Sequence, residues 1–225
     1  MAALNVNVNA VSYDSKDYWV SRFEREESFE WLLDYVKLKP VLEKHCCKSN
    51  SILNLGCGNS LIPLHLYDEG YYGHSLNLDY CENVIQNMRD FAETRYSPEQ
   101  MSQECFPKWA VADVTDMKQV KNCSFDVVFD KSTADCLACL DNDGSALRLY
   151  ESEIYRVCKD NGCWISISYS KHRWENLDFR NKWLLTVDSV ECSDDNVLQS
   201  DTSFNIARPK QYQYIFIFKK IPQTL

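Results

Sequence analysis

Ile52-Leu53-Asn54-Leu55-Gly56-Cys57-Gly58-Asn59-Ser60 is the stretch from which the rest of the chain can be read. Ser51 to Leu55 is a short apolar run, long enough for one buried strand. It ends at Gly-x-Gly, and the pattern from Leu61 to Tyr67 is helical. Glycines at a strand-to-helix turn let backbone approach a ligand closely. By itself Gly-x-Gly is also an ordinary turn, so its weight depends on the residues downstream.

Downstream, strands and helices alternate regularly. Gly73 to Leu78 predicts a second strand ending in Asp79, 21 residues beyond Gly58. An acidic residue near that distance can accept hydrogen bonds from ribose hydroxyls. Val84, Ile85, Met88 and Phe91 recur at helical spacing between Glu82 and Glu93. Lys108 to Ala112 predicts a third strand closed by Asp113, which could accept from an adenine amino group. Phe125 to Phe129 is a fourth, running into Asp130-Lys131-Ser132. A helix over Ser145 to Cys158, stopped by Asn161-Gly162, precedes a fifth strand at Trp164 to Ser168. Trp183 to Val190 and Tyr212 to Phe218 come last, with only the polar segment Ser193 to Ser203 between them, as in an antiparallel finish. Strands that alternate with helices and are near-continuously apolar imply a parallel sheet covered on both faces. The expected fold is α/β: a Rossmann-like, mostly parallel sheet of seven strands with an antiparallel last strand.

Before that core lies an aromatic segment. Tyr18, Trp19, Phe23, Phe29, Trp31, Leu32 and Tyr35 predict two short helices, with Pro40 kinking or restarting the chain. Residues 1–14 lack an apolar period and are expected to be flexible. Residues 15–225 then form one domain, with a helical cap at 15–50 and the core at 51–225.

The chain has 225 residues, a formal net charge of −9 and 45% hydrophobic residues, the profile of a folded protein. An acidic balance argues against an extended phosphate-binding face and tolerates a basic protein partner. No run approaches the roughly 20 apolar residues of a membrane span. The eleven cysteines, without a signal-peptide pattern, read as reduced thiols in the cytoplasm. Only Cys136 and Cys139 form a CxxC, so no metal site is expected.

Each acidic strand end has a plainer reading as a helix N-cap. Order and spacing of the whole set favour a nucleotide cofactor at the carboxyl ends of the strands. A dinucleotide site normally carries a third glycine where Leu61 stands. That weakens NAD without removing it.

Leu55-Gly-Cys-Gly-Asn-Ser60, followed by Leu-Asp-Tyr and Ala-Asp-Val, resembles a class I S-adenosylmethionine-dependent methyltransferase. With Asp17-Tyr-Trp-Val-Ser-Arg-Phe23, Phe29-Glu-Trp31 and Asp130-Lys-Ser-Thr-Ala-Asp-Cys-Leu137, it is similar to the lysine methyltransferases of translation elongation factor 1-alpha and their mitochondrial relative acting on citrate synthase. The resemblance implies S-adenosyl-L-methionine as cofactor, S-adenosyl-L-homocysteine as product and a protein-lysine acceptor. Trp19, Phe23 and Trp31 would wall the cofactor pocket, and Gly56, with Gly58, would meet the methionine end. Asp79 would hold the ribose, Tyr80 the adenine face, and Asp113 and Val114 the adenine edge. Lys131 would line the methionine side. The chain departs from that family in Lys131-Ser-Thr, where a glycine usually follows the lysine, and in Asp130, where Glu is frequent.

Asp130 is the candidate to orient an incoming amine, and His172 a candidate base. The competing functions are a small-molecule methyltransferase, a non-catalytic S-adenosylmethionine-binding protein and an NAD oxidoreductase. Nucleic-acid methylation is disfavoured by the charge and by the lack of an Asn/Asp-Pro-Pro-aromatic motif after the fourth strand.

Overall fold

The computed structural model describes residues 13, 15–140, 143–192 and 211–222. Apart from Tyr13, the segment expected to be flexible lies outside these residues, as does the polar Ser193 to Ser203 segment. In chain order the elements are α1 (Lys16–Phe23), α2 (Tyr35–His45), β1 (Ile52–Leu55), α3 (Ile62–Asp68), β2 (Ser75–Asp79), α4 (Glu82–Arg95) and α5 (Pro98–Met101). Then come β3 (Lys108–Val111), β4 (Phe125–Lys131), α6 (Thr133–Leu137), α7 (Ser145–Val157), β5 (Cys158–Ser168), β6 (Trp183–Cys192) and β7 (Gln211–Lys220).

The seven strands form one sheet in the order β3-β2-β1-β4-β5-β7-β6. The first five are mutually parallel, and β7 pairs antiparallel with both β5 and β6. This is the expected Rossmann-like sheet with its antiparallel finish. Strand order reverses between β1 and β4, so the connections leaving their carboxyl ends diverge and open a crevice.

Successive side chains of a strand face opposite ways, and the core divides accordingly. On one face Leu53, Leu55, Val128 and Trp164 pack with Leu147, Tyr150 and Ile154 of α7. On the other, Ile52, Val127, Phe129 and Ile165 pack under Leu38 and Leu42 of α2 and Ile62 and Leu66 of α3. Both faces are therefore covered by helices, which is why Ile52, Leu53 and Leu55 of β1 and Val127-Val128-Phe129 of β4 are apolar.

Three local expectations are corrected. Helix α2 runs through Pro40 without restarting. The carbonyl that loses its partner belongs to Val36, which is 78% exposed and can bond water instead. Residues 24–34 form no second short helix; Leu32 takes a left-handed φ of 62°, and Asp34 caps α2 by accepting from Lys37 N at 2.9 Å. Asn161-Gly162 does not stop α7, which ends at Val157. It forms a bulge within β5, where the register against β4 shifts between Phe125 and Val127. A Cβ at Gly162 would lie 2.8 Å from both Cys158 Sγ and Lys159 O.

The N-terminal segment is fastened to the core through side-chain amides. Val20 O and Phe23 O of α1 accept from Asn83 Nδ2 at 2.9 Å and Asn87 Nδ2 at 3.3 Å, both on α4. Just beyond, Glu26 O accepts from Asn59 Nδ2 at 3.0 Å. The Asn87 bond satisfies a carbonyl in the last turn of α1, whereas Val20 O also accepts from Glu24 N at 3.2 Å and takes Asn83 as a second donor. Replacing both Asn83 and Asn87 by Ala is expected to lower the free energy of cap opening by about 2 kcal/mol. Hydrogen exchange should then quicken over residues 16–31 while the sheet remains protected.

Candidate active site

The crevice between β1 and β4 opens into a cavity of about 310 Å³, within the range of cofactor sites. All ten residues expected at a cofactor line it: Trp19, Phe23, Trp31, Gly56, Gly58, Asp79, Tyr80, Asp113, Val114 and Lys131. Residues 112 positions apart in sequence meet because four parallel strands and the cap end together.

Its floor is the turn after β1. Gly56 has φ +59°, and a Cβ there would lie 2.3 Å from Thr133 Oγ1. Thr133 Oγ1 itself donates to Leu55 O at 2.8 Å. Backbone and α6 thus come closer than any side chain permits, and only glycine fits. The sequence assigns no role to Thr133, which lines the cavity and meets Gly56 across 77 residues of chain.

Asp79 closes β2 at 5% exposure. Its Oδ1 accepts from Cys81 N and its Oδ2 from Gly58 N, both at 2.9 Å. Burial pushes its carboxyl above the usual carboxylate range, against the opposing pull of those N–H groups. An ionised carboxylate has about four lone-pair sites, so accepting two amides leaves room for a diol. The plainer reading of Asp79 as a helix N-cap does not hold: Cys81 is the N-cap of α4, and Asp79 instead ties the turn after β1 to the end of β2 while keeping acceptor capacity. Asp113 is exposed, and its Oδ1 accepts from Thr115 N at 2.8 Å and Thr115 Oγ1 at 2.6 Å. It stands beside the buried Val114 at the rim.

Aromatic rings close the cap side. Trp19 stacks on Phe23 with centroids 5.8 Å apart and meets Trp31 edge-on at 5.8 Å. Trp19 Nε1 donates to Tyr13 O at 2.8 Å. The Arg22 guanidinium lies 4.5 Å from the Trp31 ring and is held by Glu26 Oε1 and Oε2 at 2.8 and 3.0 Å. Such a cluster offers stacking surface on one side and a packed scaffold behind it.

Lys131, the last residue of β4, carries its ammonium beneath the cap. It donates to Trp31 O at 2.8 Å and pairs with Glu30 Oε2 at 3.0 Å. Burial pushes its pKa down, and the charge of Glu30 opposes that. The sequence assigns no role to Glu30, because nothing local links it to a lysine 101 residues away.

Asp130 is a correction. Its side chain faces α7 rather than the cavity, because neighbours in a strand point to opposite faces. It is fully buried, and its Oδ2 accepts from Trp164 Nε1 at 2.8 Å. It cannot orient an amine in the crevice from there. His172 also lies elsewhere, exposed and paired with Glu175 at 2.5 Å.

Burial pushes the Asp130 carboxyl up to about 7. A raised acid pKa stabilises the fold below the unfolded value of about 3.9, and that contribution is lost as pH rises through about 7. Asp130→Asn should therefore gain stability relative to the parent between about pH 4 and pH 7, by up to roughly 4 kcal/mol. Urea unfolding across that range measures the difference, with ligand binding left intact.

Residues 47–219 match the methyltransferase domain family. A Neurospora crassa protein, methyltransferase srdJ, is 33% identical over 171 residues, covering 73% of this chain and 70% of its own. The human eEF1A lysine and N-terminal methyltransferase is 31% identical over 203 residues, or 86% of this chain. This chain spans only 28% of that relative's length. In fold, it is similar to a SAM-dependent methyltransferase from Methanosarcina mazei, with TM-score 0.62 and 14% identity over 85% of this chain and 100% of that one. A Pyrococcus horikoshii protein aligns with TM-score 0.56 and 16% identity over 96% of each. With the glycine turn, the two acidic strand ends and the aromatic cap gathered on one crevice, the chain belongs to the class I S-adenosylmethionine-dependent methyltransferases and resembles the eEF1A methyltransferase group within them.

Proposed function

We propose that the chain is a protein-lysine N-methyltransferase whose first candidate substrate is translation elongation factor 1-alpha. The observation that carries the cofactor side is the convergence of all ten expected residues on one cavity. Asp79 offers acceptor capacity for a ribose diol, and Tyr80, Asp113 and Val114 surround the place for adenine. Gly56 and Lys131 mark the methionine side, with Trp19, Phe23 and Trp31 as its cover. The acceptor side rests on the eEF1A relatives, of which this chain covers a minor share, together with the character of the remaining walls. Phe29, Leu137 and Leu140 line the same cavity and fit the slender aliphatic stem of a lysine better than a polar metabolite.

S-adenosylmethionine supplies a sulfonium methyl group open to in-line displacement by an amine. The chain's task is positioning and exclusion of water. A lysine ammonium has a reference pKa of about 10.4 and must reach the site neutral. Apolar walls disfavour the charged form, so Phe29, Leu137 and Leu140 promote loss of the proton to water as the side chain enters. Among the described lining residues the carboxylates are Asp79 and Asp113, both assigned to the cofactor, so no protein base is invoked. The proposed setting is the cytoplasm, in keeping with eleven free thiols. No described helix is long and apolar enough to cross a membrane.

Calorimetric titration should show binding of S-adenosylmethionine and S-adenosylhomocysteine, with NAD inert. Asp79→Ala is expected to cost about 1.5–3 kcal/mol of that affinity. Incubation with radiolabelled cofactor and purified elongation factor 1-alpha should label a lysine, located by mass spectrometry. Label on the amino-terminal nitrogen instead would move the acceptor to an α-amine. Label confined to small molecules in a lysate would reject a protein acceptor.

A further inference from the structure

We propose that Glu30 is a positioning residue for the methyl donor, acting through Lys131 while it fastens the Trp31 segment across the cavity. The inference rests on the reading of this cavity as a cofactor site and adds to it a residue outside the cavity wall. Three separate elements meet at this one carboxylate. Ser60 Oγ, in the turn after β1, lies 2.9 Å from both of its oxygens. Leu61 N, at the start of α3, donates to Oε1 at 2.8 Å. Lys131 Nζ, at the end of β4, stands 3.0 Å from Oε2.

The pair is placed to matter. The side chains of Lys131 and Glu30 are 6% and 22% exposed, so water screens their attraction poorly. Lys131 Nζ also donates to Trp31 O, so the residue next to Glu30 is drawn onto the same ammonium. A carboxylate and a backbone carbonyl therefore fix the direction of a cation that lines the cavity. The amino-acid end of the cofactor carries a carboxylate, and a charged lysine serves it better than a neutral one.

Burial alone drives Lys131 toward its neutral form, and Glu30 is the largest opposing influence. Asp34, the N-cap of α2, acts in the same sense at longer range. Around the lysine, Ser60 is neutral, the β5 register partner Ile167 is apolar, and Cys136 of α6 lines the cavity as a thiol pushed up to about 12 by burial. Asp79 and Asp113 open onto the same cavity. Removing the negative charge at residue 30 should let Lys131 lose its proton at a lower pH than in the parent.

Glu30→Gln keeps the shape and an oxygen to accept from Ser60 and Leu61 while deleting the charge. Titration with S-adenosylhomocysteine at about pH 6.5 and about pH 8.5 separates the roles, because the ratio of variant to parent constants cancels the ligand's own amine. The expected result is a loss of about tenfold at the higher pH and less than about threefold at the lower. In a Lys131→Met background the same Glu30→Gln change should alter affinity by less than about twofold, since its target is gone. Unchanged affinity, an equal loss at both pH values, or the full loss in the Lys131→Met background would each make Glu30 a structural tie and overturn the proposal. If the parent protein itself fails to bind the ligand, the cofactor reading falls first.

Discussion

Contact between the turn after β1 and the start of α6 sets the geometry on which the crevice depends. Gly56 sits where a Cβ would meet Thr133 Oγ1 at 2.3 Å, and Thr133 is pinned by its bond to Leu55 O. The strands on either side of the order reversal are thereby locked at their carboxyl ends, with backbone rather than side chains at the surface of the cavity. A close approach of this kind is what a phosphate-free nucleoside ligand needs as much as a dinucleotide does, namely a flat floor and directed N–H groups. Gly58 N is directed at the Asp79 carboxylate and holds that side chain against the turn.

The cap depends on this floor in turn. Neutral amides from Asn83, Asn87 and Asn59 hold one side of residues 16–31, and the pair of half-buried Glu30 with buried Lys131 holds the other. The two attachments differ in physics: the amides are insensitive to pH, whereas the ion pair depends on Lys131 staying charged despite burial. Between them Arg22 fills the gap behind Trp31, so the aromatic wall has support as well as a face. The cavity is therefore assembled by the same interactions that attach the cap.

Much of this was legible in the sequence because the signals are local and periodic. Ile52 to Leu55, Phe125 to Phe129 and Trp164 to Ser168 are mostly apolar because strands covered on both faces have no wet side, and the spacing from Gly58 to Asp79 comes from one strand–helix–strand unit. Asp130 departs from its expected place for an equally simple reason: position at a strand end is visible in sequence, but which face a side chain takes depends on one residue of register. Lys131, its neighbour, got the cavity and Asp130 got Trp164. Pro40 and Asn161-Gly162 carry only their average behaviour in the sequence, whereas exposure of Val36 and a β5 bulge decide the outcome. Glu30 and Thr133 act across long sequence separations and carry no motif of their own.

One crevice, floored by Gly56 and walled by Trp19, Phe23 and Trp31, thus serves as the proposed methyl-donor site. A crystal structure of the protein with S-adenosylhomocysteine tests it most directly. The ribose hydroxyls should lie within hydrogen-bond distance of the Asp79 carboxylate, and the amino-acid carboxylate beside Lys131. Ligand density outside this cavity, or within it but turned so that neither residue is engaged, would contradict the assignment.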